Sequence, residues 1–331
     1  MKILFCSAGR RAELLKDFRN SMGAEGCIIA TDMSETAPAI YMADKYYVVP
    51  GIEDPEYLST ILEICQKENI DAVTTLIDPE IMLLAMHRDE FKRIGTEVLC
   101  PFEETAKICF DKFTMFQYLT ENRIQTVLTY GDLDSFFVAY DRGEITFPVF
   151  VKPRTGSGSV GARKITDMPE LQRAMEGEPG LIIQEYMGDA VDIDVDIYID
   201  TISHQPVSLF SKRKLATKIG GANKAISFKD EKLVKFVREA LRVFQFNGPI
   251  DMDLWYRNGK YYLSEVNPRF GGAYLHAYGA GVDFVKLIEN NINGIENQPC
   301  FGNYEDNIVM MMYDSVIIKK IDCEVDNCYK K

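Results

Sequence analysis

Over the first hundred residues, short apolar runs alternate with stretches of helical spacing, and few folds accommodate that order. Residues 2–6, 27–31, 46–49, 72–77 and 97–100 read as strands, with helices over 10–20, 57–67 and 81–91 between them. Strands separated by helices of this length form right-handed βαβ units around a parallel sheet. Ligands of such sheets bind beyond the carboxyl ends of the strands. Ser7, Gly9, Arg10, Asp32, Asp78 and Glu80 fall at those ends. Arg10 could hold a substrate carboxylate there, or sit as an ordinary surface arginine.

Past Pro101 the order changes. A helix over 105–122 leads to strands over 147–152, 162–165, 181–186 and 192–199, then to a long helix over 230–244. Residues 250–256 and 260–266 form a hairpin turning at Arg257-Asn258-Gly259. The fold class expected is α/β followed by α+β. The 331 residues are 47% hydrophobic and 26% charged, enough for a packed core. Lys+Arg number 37 against 50 Asp+Glu, a net charge of −13. That balance argues against nucleic acid or an anionic membrane as partner, because phosphate neutralisation needs a cationic surplus. None of the eight cysteines forms a CxxC pair. The N-terminal apolar run is cut short by Ser7-Ala8-Gly9-Arg10-Arg11, and no stretch approaches the roughly 18 apolar residues of a membrane span. A cytoplasmic protein with reduced thiols is expected.

Three segments carry chemistry. In the first, an apolar strand delivers Lys152, and Pro153-Arg154-Thr155-Gly156-Ser157-Gly158-Ser159-Val160-Gly161 follows. Backbone N–H groups in a loop of Gly and Ser can approach an anion closely. The GxGxxG string within it is followed by strand rather than helix, so it suits a flap over phosphates better than a dinucleotide turn. The second segment pairs Asp253 with Glu265, followed by Asn267 and Arg269. Two carboxylates and an amide oxygen are the hard donors Mg²⁺ takes, and Arg269 is a fork-shaped phosphoryl donor. Local spacing alone leaves this set level with a solvated strand face. The third is Gln184-Glu185-Tyr186-Met187 with Asp192, Asp194 and Asp196 beyond it. A strand end of that type can read an adenine edge and a ribose hydroxyl. Without context, the three aspartates read instead as one solvated face.

In this order the segments resemble the ATP-grasp superfamily. The likeness is to its carboxylate–amine/thiol ligases, and especially to a single module of the carbamoyl-phosphate synthase large-subunit type. The resemblance implies an N-terminal parallel-sheet pre-ATP-grasp domain over 1–100. A two-lobed ATP-grasp domain follows, its first lobe with the Gly-rich flap over 101–190 and its second with the metal site over 191–331. By matching position it implies Asp253, Glu265 and Asn267 as ligands of two Mg²⁺ ions, with Mn²⁺ as a substitute. Lys112 and Lys152 become phosphate contacts, with Gly156, Ser157 and Gly158 in the flap. Gln184, Glu185 and Met187 become the adenine hinge, its register open between Gln184 and Glu185. Asp192, or alternatively Asp194, becomes the ribose acid. Arg269, Lys152 and Arg213 become catalytic cations, with Arg213 and Lys218 near the γ-phosphate.

The activity implied is ATP-dependent and ADP-forming. A carboxylate is activated as an acyl phosphate, which an amine or other nucleophile attacks. Its partners would be small-molecule carboxylate and amine substrates, with neither nucleic acid nor membrane, and a homodimer is compatible with the resemblance. Three alternatives stand beside it: a protein like one half of carbamoyl-phosphate synthase that uses bicarbonate together with a partner, an inactive ATP-binding regulatory protein, and a Rossmann oxidoreductase.

Overall fold

The computed structural model describes residues 1–156, 158, 160–218 and 221–320; Ser157 and Gly220 lie outside the described residues. The N-terminal strands are β1 (Lys2–Cys6), β2 (Cys27–Asp32), β3 (Lys45–Val48), β4 (Ala72–Thr75) and β5 (Glu97–Val98). They pair in parallel in the order β3-β2-β1-β4-β5. Alternation sends Ile3, Phe5, Ile28 and Ala30 into one core and Leu4, Cys6, Ile29 and Val73 into another. A sheet buried on both faces reads as continuous apolar runs, which is how these strands stand out in the sequence. The helix expected over 81–91 is two, Asp78–Met86 and Arg88–Arg93, parted at His87.

A four-stranded antiparallel sheet follows, with β6 (Thr129–Tyr130), β7 (Val149–Pro153), β8 (Arg163–Ile165) and β9 (Leu181–Glu185) in the order β6-β9-β7-β8. The helix expected over 105–122 splits into Glu103–Phe110 and Lys112–Glu121. Asp111 causes the break: its carboxylate accepts from the backbone N–H of Phe113 and Thr114 and caps the second helix. Lys112 therefore opens a helix instead of lying inside one.

The largest sheet holds β10 (Val191–Ile199), β11 (Pro206–Lys218), β12 (Gly221–Ser227), β13 (Gly248–Arg257), β14 (Lys260–Asn267), β15 (Cys300–Phe301) and β16 (Val309–Met311). Its order is β14-β13-β10-β11-β12-β16, with β15 beside β11. One face, with Ile193, Val195, Met252 and Leu254, packs on Leu233, Val237 and Ala240 of the helix Glu231–Leu241. The opposite face carries buried charge. Among the described residues, no helix is long and apolar enough to cross a membrane.

Candidate active site

The site begins with strand register. Across β10, β13 and β14, Asp194 faces Asp253, Asp253 faces Glu265, Asp196 faces Asp251, and Asp251 faces Asn267. Residues directly opposite in antiparallel strands share a face, so these side chains form one acidic surface. The reading of the β10 aspartates as a solvated face is overturned: Asp194 is 5% and Asp196 1% exposed. Two lysines of β11 enter this surface. Lys212, fully buried, lies 2.8 Å from Asp194 Oδ1 and also binds Asp196. Lys214 lies 3.1 Å from Asp192 and also binds Asp253. Asn267 Nδ2 donates to Asp251 and Asp253, each at 3.3 Å.

The positive charge only partly balances the acid. Asp196 Oδ1 and Asp251 Oδ1 are buried with no hydrogen-bond donor among the described residues. Burial, reinforced by Asp194, Asp253 and Asp196, pushes the Asp251 carboxyl well above the usual range. Burial pushes Asp196 to about 6 against the pull of Lys212. Asp192 is also raised to about 6, by burial first, with Lys214 opposing.

Facing the acids are the cations of the smaller sheet. Lys112 Nζ donates to the Gly156 carbonyl at 2.5 Å and stands 3.5 Å from Glu265 Oε1. Lys152 is buried at the end of β7. Burial lowers its pKa, Lys112 presses the same way, and Glu265 and Asp253 oppose. Gly156 and Gly158 adopt φ of 94° and 74°, the left-handed region that favours glycine. A small open recess is lined by Asp78, Lys112, Gly156, Glu265 and Asn267. In the expected hinge, Gln184 pairs with Phe150, so it shares a face with Lys152, and it donates to Thr129 Oγ1 at 3.0 Å. Glu185 lies on the alternate face and binds Arg257. Met187 is buried.

The N-terminal unit closes one end. Arg269 Nε donates to Asp78 Oδ1 at 2.6 Å, and Nη2 lies 3.3 Å from Oδ2, a two-point fork. Arg11 donates to the carbonyls of Phe270 and Gly271, whereas Arg10 is exposed. Gly271 is required by closeness: a Cβ there would stand 2.8 Å from both Asp196 Oδ1 and Asp251 Oδ1.

Arg213 does not join this group. Being odd-numbered on β11, it lies on the far face, its guanidinium 4.6 Å from the Phe228 ring centre. Lys218 is exposed, 3.8 Å from Asp314. The cations that do face the acids, Lys212 and Lys214, had a sequence signal in the alternation of Phe210, Lys212 and Lys214, as had Asp251 in its spacing from Asp253. Two histidines are held by hydrogen bonds within the fold: His276 Nε2 meets the Ile308 carbonyl and His87 Nδ1 meets Glu90. Chemically, the arrangement can hold a polyanion between ammonium groups and oxygen-bound cations. Asp253 and Glu265 supply carboxylate oxygens of the kind magnesium takes, on a face whose acids exceed its lysines, and Asn267 turns its amide nitrogen toward them.

Comparison with known proteins gives two family matches. The ATP-grasp domain matches residues 109–273, and the PylC-like N-terminal domain matches residues 3–99. A D-alanine–D-alanine ligase of Ruminiclostridium cellulolyticum is 24% identical over 227 residues, 61% of this chain and 58% of that protein. The 3-methyl-D-ornithine–L-lysine ligase of Methanosarcina acetivorans is 29% identical over 193 residues, 57% of this chain and 46% of that protein. The chain thus spans roughly half to three fifths of these relatives' length. Among solved structures, the biotin carboxylase domain of Hydrogenobacter thermophilus 2-oxoglutarate carboxylase, complexed with MgADP, ADP and bicarbonate, gives a TM-score of 0.72. Identity there is 18%, over 93% of this chain and 73% of that one.

Proposed function

This chain belongs to the ATP-grasp superfamily, and we propose that it is an ATP-dependent, ADP-forming ligase that joins a carboxylate to an amine. The observation carrying this reading is the acid pair Asp253 and Glu265, aligned across β13 and β14, with Lys112 3.5 Å from Glu265 and Lys152 buried beside it. A carboxylate is a poor electrophile, because its charge repels nucleophiles and its oxygen leaves badly. Transfer of the γ-phosphoryl group of ATP forms an acyl phosphate and ADP. An amine then attacks the carbonyl carbon, and phosphate leaves with formation of the amide. Positioning and charge neutralisation supply most of the catalysis of such a transfer.

The residues divide the work accordingly. Lys112, Lys152 and the Gly156–Gly158 flap hold the phosphates. Gln184 and Met187 take the adenine, Gln184 being the hinge candidate on the Lys152 face. Asp192 takes a ribose hydroxyl. Asp253, Glu265 and Asn267 would hold magnesium, which neutralises phosphate charge when bound. Arg269, oriented by Asp78, steadies the transferring phosphoryl group. Arg213 has no part in this scheme. The name of the Methanosarcina relative, a ligase of two amino acids, makes amino acids the first substrates to try.

The test is a screen for ADP and phosphate release over amino acids, hydroxy acids and bicarbonate with candidate amines. Glu265→Gln should lower turnover about 10²–10³-fold, the size of losing one charge-stabilising group, while the circular dichroism spectrum stays as in the parent. Unchanged turnover in that variant overturns the assignment.

A further inference from the structure

Lys214 is the least expected member of the acidic surface. It lies near the centre of β11, and its side chain is 6% exposed. Its ammonium binds Asp253 Oδ1 and lies 3.1 Å from Asp192 Oδ1. Asp253 Oδ2, the other oxygen, is 3.3 Å from Asn267 Nδ2. Both oxygens of Asp253 are therefore engaged by donors, and the amide of Asn267 presents nitrogen to the carboxylates. Glu265 likewise faces the ammonium of Lys112. Each acid read as a metal ligand thus already has a lysine against it. The pairing of β11 with β12 is irregular immediately after Lys214, between Lys214 and Ala216 and again between Ala216 and Thr217. Such irregularities re-aim side chains and favour the neighbourhood of active sites.

We propose that Lys214 is the resident counter-ion of the metal-binding carboxylates, and that a divalent cation entering with the nucleotide must displace its ammonium from Asp253. This deepens the ligase reading and rests on it for the identity of the metal ligands. The electrostatic logic is that of competition. Asp192 and Asp253 are both about three-quarters buried, and leaving them without a cation costs more than holding a lysine against them. An ammonium that occupies the ligand for most of the time lowers apparent metal affinity by the fraction of time the ligand is free. The four-carbon stem of lysine allows the ammonium to swing aside without moving the strand.

The experiment titrates Mn²⁺ into the full-length protein by electron paramagnetic resonance, alone and again with saturating ADP. Lys214→Met should bind Mn²⁺ about tenfold more tightly than the parent in at least one of the two series, because the internal competitor is gone. The control Lys235→Met, on an exposed helix face, should bind as the parent does. Should Lys214→Met fail to fold, the charge-balanced pair Asp192→Asn and Asp192→Asn/Lys214→Met takes its place. The double variant should then outbind the single one. Affinity that is unchanged or weaker without Lys214, in both series, overturns the proposal. The two readings also fail separately. A chain that turns over no ATP with any substrate, yet gains Mn²⁺ affinity without Lys214, loses the ligase assignment and keeps the counter-ion.

Discussion

Strand β10 leads into two kinds of buried aspartate, and the chain finishes them differently. Asp200, immediately after the strand, has donors on every side. Its Oδ1 accepts from the N–H of Ile202 and Ser203 and the hydroxyl of Ser203, and its Oδ2 from the N–H of Asn297 and the side-chain amides of Asn291 and Asn297. Although burial works against ionisation, these bonds hold its carboxyl down at about 2. Asp196, four residues earlier, has Lys212 on one oxygen and, among the described residues, no donor on the other. Asp251, its partner across the ladder, accepts from Asn267 Nδ2 on one oxygen and has no donor among the described residues on the other. Both carboxyls are pushed up instead. Where a buried charge only has to close a turn, its hydrogen bonds are complete. On the neighbouring stretch of the same sheet the set is incomplete, and that stretch forms the acidic surface of the candidate site.

The sharpest way to break that contrast is Asp200→Ala. Removing the carboxylate orphans the donors gathered around it and should cost about 3 kcal/mol in urea unfolding. The folded fraction should bind nucleotide as the parent does. A loss below about 1 kcal/mol would mean the network is dispensable. Asp200 also fixes a sign: its folded pKa lies below the ordinary 3.8, so its contribution is present above that value and fades as pH falls through about 2. A middle-sized effect comes from Gly271→Ala. The added methyl group would meet Asp196 and Asp251 at 2.8 Å and should cost about 2 kcal/mol by overpacking. Unlike Asp200→Ala, it should also impair metal and nucleotide binding. A variant that loses stability but keeps both affinities would separate this surface from the site.

The same contrast explains how far the sequence could be read. The parallel sheet was legible because its central strands β1, β2 and β4 are buried on both faces and bounded by turns, whereas the edge strand β3 is largely exposed. The hairpin of β13 and β14 was legible through Asn258-Gly259, whose residues both take positive φ. Lys152 stood out because a Gly- and Ser-rich string follows it directly, whereas Glu265 was level with a solvated face until the order of the three segments was taken together. The β11–β12 hairpin did not stand out, since its site-facing positions are lysines that look like solvated charge until Asp194, Asp196 and Asp253 are set opposite. Reading Arg213 as the cation shows what a period of two does: a shift of one residue moves the chosen charge to the other face. The fork of Arg269 on Asp78 joins residues 191 positions apart, and the bonds of Arg11 reach Phe270 and Gly271; no local pattern announces either.

The smallest effect is the most specific to the acidic surface. Asp196 has a folded pKa of about 6 against an ordinary 3.8, so the folded protein holds its proton more tightly than the unfolded chain does. Its stabilising contribution is complete below 3.8 and lost as pH rises through about 6. An asparagine there resembles the protonated form at every pH. Asp196→Asn should therefore be as stable as the parent at about pH 4 and more stable by about 1 kcal/mol at about pH 7, with Lys212 still held by Asp194. Taking the difference between parent and variant cancels the other groups that titrate nearby, including His276, whose pKa is lowered to about 4 chiefly by burial and whose effect has the opposite sign. Urea midpoints measured for both proteins across that range give the answer. If the parent gains on Asp196→Asn as pH rises, Asp196 is a satisfied structural charge like Asp200, and the distinction between the two aspartates is gone.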